Sequence, residues 1–442
     1  MPLLKNIITG FSVFSLAFPL PVLAIAGWEV KLWMLSAIMA GLLLLGGLLR
    51  KGFNWLGKSK IFWLGVGLTL FSLLGIVNSP EKIYSLKQLA VLAALVVLGI
   101  FFEFNVRKFS REIYLGLAIG LLVNSIAAIY QNIAFENGWL HFEIMAARPN
   151  AFFPEADWLG MYLALGLVPF LAALANGKNA SLPEILKNNY LLYAFSLLAI
   201  TALIITVARA SWLALLVEMG IIIAISVYSN IKTYGLRLTA YGFLKKSAIF
   251  TSLIITSLIF INIFNLSRFN IPDRFRSIFF REHVITVAEN PNTGESFKIN
   301  LEEIELYREQ GYIVKENYVA DENILSRKGR ACGAWDIIKE HPILGSGLGA
   351  TMIATNYEHN ANNLFLEWWA SAGLGGIVLI IGLIVYQVVK GVQLLKNNSH
   401  KATLVIAGTA GFVVVNLFNA SIFLAFAWFY LVWLLSITKH RT

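Results

Sequence analysis

Apolar runs of about 17 to 25 residues follow one another almost without interruption, and each is long enough to cross a hydrocarbon core of roughly 30 Å as a helix. Helices and closed barrels are the structures that satisfy every backbone amide inside lipid, and runs of this length exclude a barrel. Composition agrees. The 442 residues are 58% hydrophobic and 14% charged, against roughly 45–50% and 25% in soluble domains. The expected fold class is an all-α polytopic membrane protein with about 12 transmembrane helices. These fall near residues 7–27, 32–49, 61–78, 88–104, 113–134, 158–175, 190–207, 210–228, 247–264, 363–389, 402–419 and 422–438. The first run lacks a clear small-residue cleavage site and another follows at once, so it reads as an anchor rather than a cleaved leader.

The net charge of +10 does not imply a nucleic-acid partner, because the basic residues cluster in short loops between spans. With a cytoplasmic N-terminus, one side collects Lys5, Arg50, Lys51, Lys58, Lys60, Arg107, Lys108, Arg111, Lys178, Lys187, Lys232, Arg237, Lys245, Lys246, Lys390, Lys396, Lys401, Lys439 and Arg441. The short loops opposite hold Lys31, Lys82, Lys87, Arg148 and Arg209. The positive-inside rule then places both termini in the cytoplasm and the polar segment 265–358 outside. Three regions result: nine helices over 1–264, an extracytoplasmic loop domain over 265–358, and three helices over 359–442. Cys332 is the single cysteine, which rules out an intramolecular disulfide and a cysteine-built metal site.

The outer segment has the signals of a small α+β insertion. Val284–Val287 and Phe297–Ile299 flank Asn290-Pro291-Asn292-Thr293-Gly294 and read as a hairpin. Asn300, with Glu303 three residues on, starts a candidate helix carrying Leu301, Ile304, Leu306 and Tyr307. Further along, Ala334-Trp335-Asp336-Ile337-Ile338-Lys339-Glu340-His341-Pro342 leads into Gly345-Ser346-Gly347-Leu348-Gly349. Such glycines either cradle a phosphate or permit a tight turn. They do not follow a strand, so a nucleotide-binding loop is excluded.

After this turn comes Asn360-Ala361-Asn362-Asn363-Leu364-Phe365-Leu366-Glu367-Trp368-Trp369, ending in Gly373-Leu374-Gly375-Gly376. The order Arg, amphipathic helix, His-Pro, Gly-x-Gly-x-Gly and then this stretch resembles the O-antigen ligase and polymerase superfamily. The resemblance runs from about Thr206 to Gly376, together with the span layout and the long outer loop before the tenth span. Those proteins carry a His followed by Asn where this chain has Asn362 and Asn363. An Arg in a Ser/Ala-Arg-Gly/Ala context also corresponds to Arg209, in Ala208-Arg209-Ala210.

The resemblance implies a membrane glycosyltransferase that inverts the anomeric centre. It would take a glycan from a polyisoprenyl diphosphate carrier such as undecaprenyl diphosphate and pass it to a glycan, lipid or protein acceptor outside the cytoplasmic membrane. Lipopolysaccharide and other cell-envelope polysaccharides are the products of such enzymes. It implies no metal and no cofactor. Arginine suits the diphosphate because its guanidinium stays charged and binds bidentately. Arg209 is one expected contact and Arg327 the second, with Arg330 its neighbour one helical turn away.

Transfer also needs a group that takes a proton from the acceptor, and an amide such as Asn362 does not do so. Three readings are open: His359 serves as a shifted base, Asn362 marks an altered or inactive enzyme, or the chain carries a His-to-Asn substitution. Asn363, Glu367 and Trp368 are expected to support the site, Trp368 or Trp369 by lining a sugar or lipid path. Glu218 lies deeper in its span, where a hydrogen bond to Ser or Tyr would satisfy it without further function. Glu155 and Asp157 read as helix-start residues rather than a glycosidase pair. A secondary transporter is the rival class, although the sequence displays neither internal repeats nor broken helices; an inactive glycan-lipid-binding relative is the other.

Overall fold

The computed structural model describes residues 2–25, 28–105, 110–140, 148–176, 182–234, 236–266, 271, 282–291, 296–298, 304–320, 322–354 and 360–438. Twelve helices of 13 residues or more lie outside the segment 264–363 among the described residues. We number them α1 (Pro2–Ser15), α2 (Leu32–Lys51), α3 (Lys60–Gly75), α4 (Lys82–Asn105), α5 (Ser110–Glu136), α6 (Ala156–Asn176), α7 (Asn189–Ile205), α8 (Arg209–Tyr234), α9 (Leu236–Ile263), α10 (Leu364–Leu394), α11 (Ser399–Leu417) and α12 (Ala425–Ile437). Nine of the described helices are long and apolar enough to cross a membrane, so the chain is a helical multi-pass membrane protein. The helices α7 and α12 are apolar but shorter.

The first expected span, 7–27, is not one helix. The α1 helix stops at Ser15, and β1 (Pro21–Ile25) pairs antiparallel with β2 (Trp28–Lys31). Pro19 and Pro21 account for this, because each removes an amide donor and pushes the residue before it into extended backbone. Elsewhere the helices divide by what they face. Within α6, 89% of the apolar window is buried inside the protein, against 22% in α2, so α6 is a core helix while α2 turns Leu42, Leu45 and Leu49 outward. That apolar exterior is what lipid solvates.

Small residues set the close crossings. A Cβ on Gly116 of α5 would lie 2.6 Å from the Gly10 carbonyl of α1, and one on Gly166 of α6 would lie 2.9 Å from Leu121 of α5. Helices α6 and α8 run parallel, since Gly160 lies against Ser211 near their starts and Asn176 accepts from Ser226 near their ends.

The α10 helix is broken. Gly373 takes φ 62°, ψ −162° inside it, nine residues past Leu364, or about 13 Å along a helix rising 1.5 Å per residue. The break is repaired by the glycine run. Ser346 donates its N–H to the Ala370 carbonyl at 2.7 Å, Gly347 donates to Ser371 at 3.0 Å, and Leu374 donates to Pro342 at 3.0 Å. Gly345, Gly347 and Gly349 have φ of 75°, 82° and 84°. The turn after α3 and the first turn of α4 close the joint: Asn78 donates to the Gly345 carbonyl at 3.0 Å and Ser85 to Leu348 at 3.0 Å.

A smaller unit spans Arg268–Gly329, narrower than the expected loop segment of 265–358. It holds β3 (Glu282–Glu289), β4 (Ser296–Lys298) and β5 (Ile313–Ala320) in the order β4-β3-β5, all antiparallel, with a short helix Ile304–Glu309. Val287 pairs with Lys298 and Ala288 with Phe297. Asn300 and Glu303 lie outside the described residues.

At Gly373 a Cβ would stand 2.0 Å from the Ile343 carbonyl oxygen, and the left-handed conformation alone costs a non-glycine residue about 1–3 kcal/mol. Gly373→Ala is therefore expected to lower the melting temperature of the detergent-purified protein. Gly382→Ala, at a helical glycine with open space around it, is expected to match wild type in the same melt.

Candidate functional site

The Asn360–Glu367 turn is built from its own amides. Asn363 caps α10, its side-chain oxygen accepting from Phe365 N–H and Leu366 N–H at 3.0 and 3.1 Å, and its Nδ2 donates to the Leu417 carbonyl of α11 at 3.0 Å. Asn362 sits at φ 50°, in the left-handed region that Asn tolerates better than most residues. Its N–H donates to the Asn360 Oδ1 at 3.0 Å.

Glu367 is fully buried in the first turn of α10. Its carboxylate accepts from the Thr351 hydroxyl, at 2.8 and 2.6 Å, and from the Ala361 N–H at 3.0 Å. A carboxylate at the start of a helix also lies favourably in the helix dipole. Glu367 thus clamps the turn to the short helix Ala350–Ala354. Its two oxygens are spent on structure.

A second group of polar residues surrounds the start of α8. Val207, immediately before Ala208 and Arg209, takes φ 57°, a conformation that a β-branched residue adopts only under constraint from its surroundings. Thr206 supplies part of that constraint: its hydroxyl donates to Leu203 at 2.7 Å and accepts from Ala208 N–H at 3.3 Å. Its carbonyl accepts from Arg148 Nε at 3.3 Å, and the same guanidinium forms an ion pair with Asp157 at 2.9 Å. Asp157 lies in the first turn of α6, where dipole and ion pair act together.

Arg148 opens a loop whose tip is buried and non-helical. Ala151, at φ 47°, donates its N–H to Gln131 Oε1 at 2.7 Å. The Phe152 N–H reaches Asn124 Oδ1 at 3.4 Å, while Asn124 Nδ2 donates to the Ala17 carbonyl beyond the end of α1 at 3.0 Å. Asn124 and Gln131 are fully buried members of α5. They provide the hydrogen bonds that irregular backbone needs at membrane depth.

Both groups lie at one end of the helical bundle. Asn360 Nδ2 reaches the Ala420 carbonyl, at 3.5 Å; just beyond it, Phe426 at the start of α12 packs on Phe153 and Tyr162. One turn away on α6, a Cβ on Gly160 would meet Ala208, Ser211 and Thr206 at 2.7 to 3.0 Å. The end therefore combines the Arg148 and Arg209 guanidinium groups with an amide-rich turn. A guanidinium keeps its charge and can bind an anionic oxygen pair bidentately, although that of Arg148 is engaged by Asp157 and the Thr206 carbonyl.

The other sequence expectations divide. Arg327 and Arg330 both lie on the helix Glu322–Glu340, Arg327 in the smaller unit and Arg330 in the larger. His359 lies outside the described residues. Trp368 is buried at 1% exposure, edge-on to Trp428 with ring centroids 6.0 Å apart. Trp369 is partly exposed but donates to the Pro342 carbonyl at 3.0 Å. The glycine run is the tight turn and not a phosphate cradle, since its amides at 345, 346 and 347 are already donated to backbone carbonyls. Asp157 is taken by Arg148, which leaves no free carboxylate pair with Glu155.

Sequence reasoning missed Asn124, Gln131 and Thr351. The first two were visible as amides inside an apolar run, a costly placement that asks for a partner. No protein-family model matches this chain, and no curated protein matches it.

Removing the Glu367 carboxylate leaves a buried hydroxyl and a buried N–H unpaired, at about 1–3 kcal/mol for each lost partner. Glu367→Ala is expected to give a clearly lower detergent melting temperature, with Glu367→Gln losing less because an amide oxygen still accepts. At the neighbouring turn, Asn362→Val is expected to destabilise while Asn362→Gly stays near wild type. Equal melts for the two would contradict the left-handed assignment.

Proposed function

We propose that this chain is a glycosyltransferase of the O-antigen ligase-like kind, transferring a glycan from a polyisoprenyl diphosphate to an acceptor on the outer face of the cytoplasmic membrane. The observation that carries the reading is the placement of Arg209 and Arg148 at the same bundle end as the Asn360–Glu367 turn. In this reading that end faces outward, in keeping with the distribution of Lys and Arg among the loops. The chain then crosses twelve times, α1 with its hairpin, α7 and α12 completing the nine long spans, and the β3–β5 insertion lies outside. Arg209 and Arg327 hold the diphosphate, with Arg330 beside Arg327. His359 accepts the proton of the attacking hydroxyl or amine, and the leaving diphosphate keeps its negative charge against the guanidiniums. Asn362 and Asn363 shape the turn.

A secondary transporter is the second reading, and two observations favour it: the break in α10 at Gly373 and the unpaired carboxylate of Glu218. Broken helices and buried carboxylates are common in transporters. Against it, the frayed backbone at Gly373 is repaired by the glycine run instead of facing a cavity.

The test is release of polyisoprenyl diphosphate from a lipid-linked oligosaccharide by the purified wild-type chain with metals chelated. Acceptor-dependent release is expected. Arg209→Ala and Arg327→Ala should each weaken donor binding by roughly tenfold or more, and His359→Ala should abolish transfer while sparing donor binding. Donor binding without release identifies the inactive relative. Absence of donor binding by the folded wild-type chain overturns the proposal in favour of transport.

A further inference from the structure

Among the buried polar groups without a hydrogen-bond partner in the described residues are both carboxylate oxygens of Glu218, the Tyr430 hydroxyl and the Tyr162 hydroxyl. Each is seated over a helix glycine. A Cβ on Gly411 would fall 1.7 Å from Glu218 Oε1, one on Gly408 2.6 Å from the Tyr430 hydroxyl, and one on Gly120 2.4 Å from the Tyr162 hydroxyl. Gly408 and Gly411 are three residues apart on α11, so the positions facing Tyr430 and Glu218 lie one above the other on one face, about 5–6 Å apart. Tyr430 and Tyr162 in turn line one cavity with Val13, Leu16, Leu117 and Gly166.

The groups thus form a chain: Glu218, Tyr430, a small cavity, Tyr162. The expected bond from Ser or Tyr to Glu218 is not made. Among the described residues no basic group compensates it either. Of the helices packed on α8, α11 carries His400 and Lys401 at its far end, α6 carries Asp157 and Tyr162, α7 carries Tyr190 and Tyr193, and α9 carries Arg237, Tyr241, Lys245 and Lys246. None of these forms an ion pair or hydrogen bond with Glu218 among the described residues. Tyr430 itself also feels Tyr114 of α5.

A charge or an unbonded polar atom in such surroundings is expensive, and natural interiors leave few of them without a bound water or ion. The glycines matter here because they open room where a methyl group would close it. An alkali cation needs several oxygen ligands, and one carboxylate with two hydroxyls on either side of a cavity is a poor set. A proton needs one.

We propose that Glu218 is an exchangeable proton-binding site inside the membrane-spanning bundle, connected through Tyr430 and a small cavity to Tyr162. This goes beyond the glycosyl-transfer reading and does not depend on it, since the site uses none of the residues assigned to the donor.

The wild-type chain, reconstituted in phosphatidylethanolamine–phosphatidylglycerol vesicles, is titrated by infrared difference spectroscopy, and separately treated with dicyclohexylcarbodiimide followed by peptide mass mapping. The expected result is a protonated-carboxyl C=O band that disappears reversibly on alkalinisation, is lost in Glu218→Gln, and is matched by a carbodiimide adduct on the peptide containing Glu218. The titration and the labelling need no variant, so a failure of Glu218→Gln to fold leaves the test intact. A band insensitive to pH means a locked structural acid and overturns the proposal, as does a missing adduct. Protection from labelling by added sodium overturns the choice of a proton over a cation. Loss of donor binding or release in the transferase assay leaves these readings unchanged, so the two proposals fail separately.

Discussion

The exchange of backbone hydrogen bonds between the Gly373 break and the Pro342–Gly349 loop is the constraint from which the rest of this architecture follows. A helix interrupted inside a membrane strands carbonyls and amides with no water to take them, and each such group costs several kcal/mol if left bare. Here the carbonyls of Ala370 and Ser371 and the amide of Leu374 find partners in one loop, arriving from the other side of the Ala350–Ala354 and Asn360–Asn363 segments. The pairing leaves almost no freedom. Gly75, Gly345, Gly347 and Gly373 come so close that a Cβ on any of them would stand within 3.0 Å of a neighbouring atom. The joint anchors both ends of the chain between His341 and Leu374, and so determines where the Asn360–Glu367 turn and the first turns of α10 sit.

The same requirement explains why amide side chains are spread through otherwise apolar helices. Asn124 and Gln131 hold the loop at 148–153, Asn363 caps α10 and reaches α11, and Asn416 accepts from Ser421 at the α11–α12 connection. An amide offers both donor and acceptor on a neutral group. It repairs irregular backbone without bringing a charge into lipid. Charged groups appear at depth only with compensation, as Arg148 with Asp157, or as Glu103, which accepts from the N–H groups of Lys60 and Ile61 at 3.2 Å, caps the start of α3 and is bonded to Ser59. Glu218 is the exception in that pattern, and exceptions of this kind are where function is usually found.

How much of this was legible in the chain depended on range. The helices α2 to α12 follow from runs of apolar residues, because length against bilayer thickness is a local property. The end of α1 was equally local, written in Pro19 and Pro21, and was overlooked because the apolar run continues across them. By contrast, the purpose of Gly345, Gly347 and Gly349 was ambiguous, since the partner that decides between a turn and a phosphate cradle lies some two dozen residues on, at Ala370 and Ser371. The burial of Trp368 against Trp428 and the pairing of Arg148 with Asp157 and Thr206 likewise depend on contacts that no spacing rule reports. That the backbone of Asn362 is left-handed, and therefore favours Asn, His or Gly for conformational reasons, emerges only from the fold.

A left-handed position that accepts both His and Asn allows the side chain to change without moving the turn, so conformation is no obstacle to a loss or relocation of the base. The proton acceptors in reach then decide what remains possible. Glu367 has both oxygens engaged by Thr351 and Ala361, and Asp157 is paired with Arg148; freeing either would dismantle the turn or the loop that forms the site. An amide at 362 cannot take their place. If the proposed transfer occurs at this end of the bundle, His359 is the base that the proposal assigns, and a chain in which His359 proved dispensable would turn attention to the buried carboxylate of Glu218.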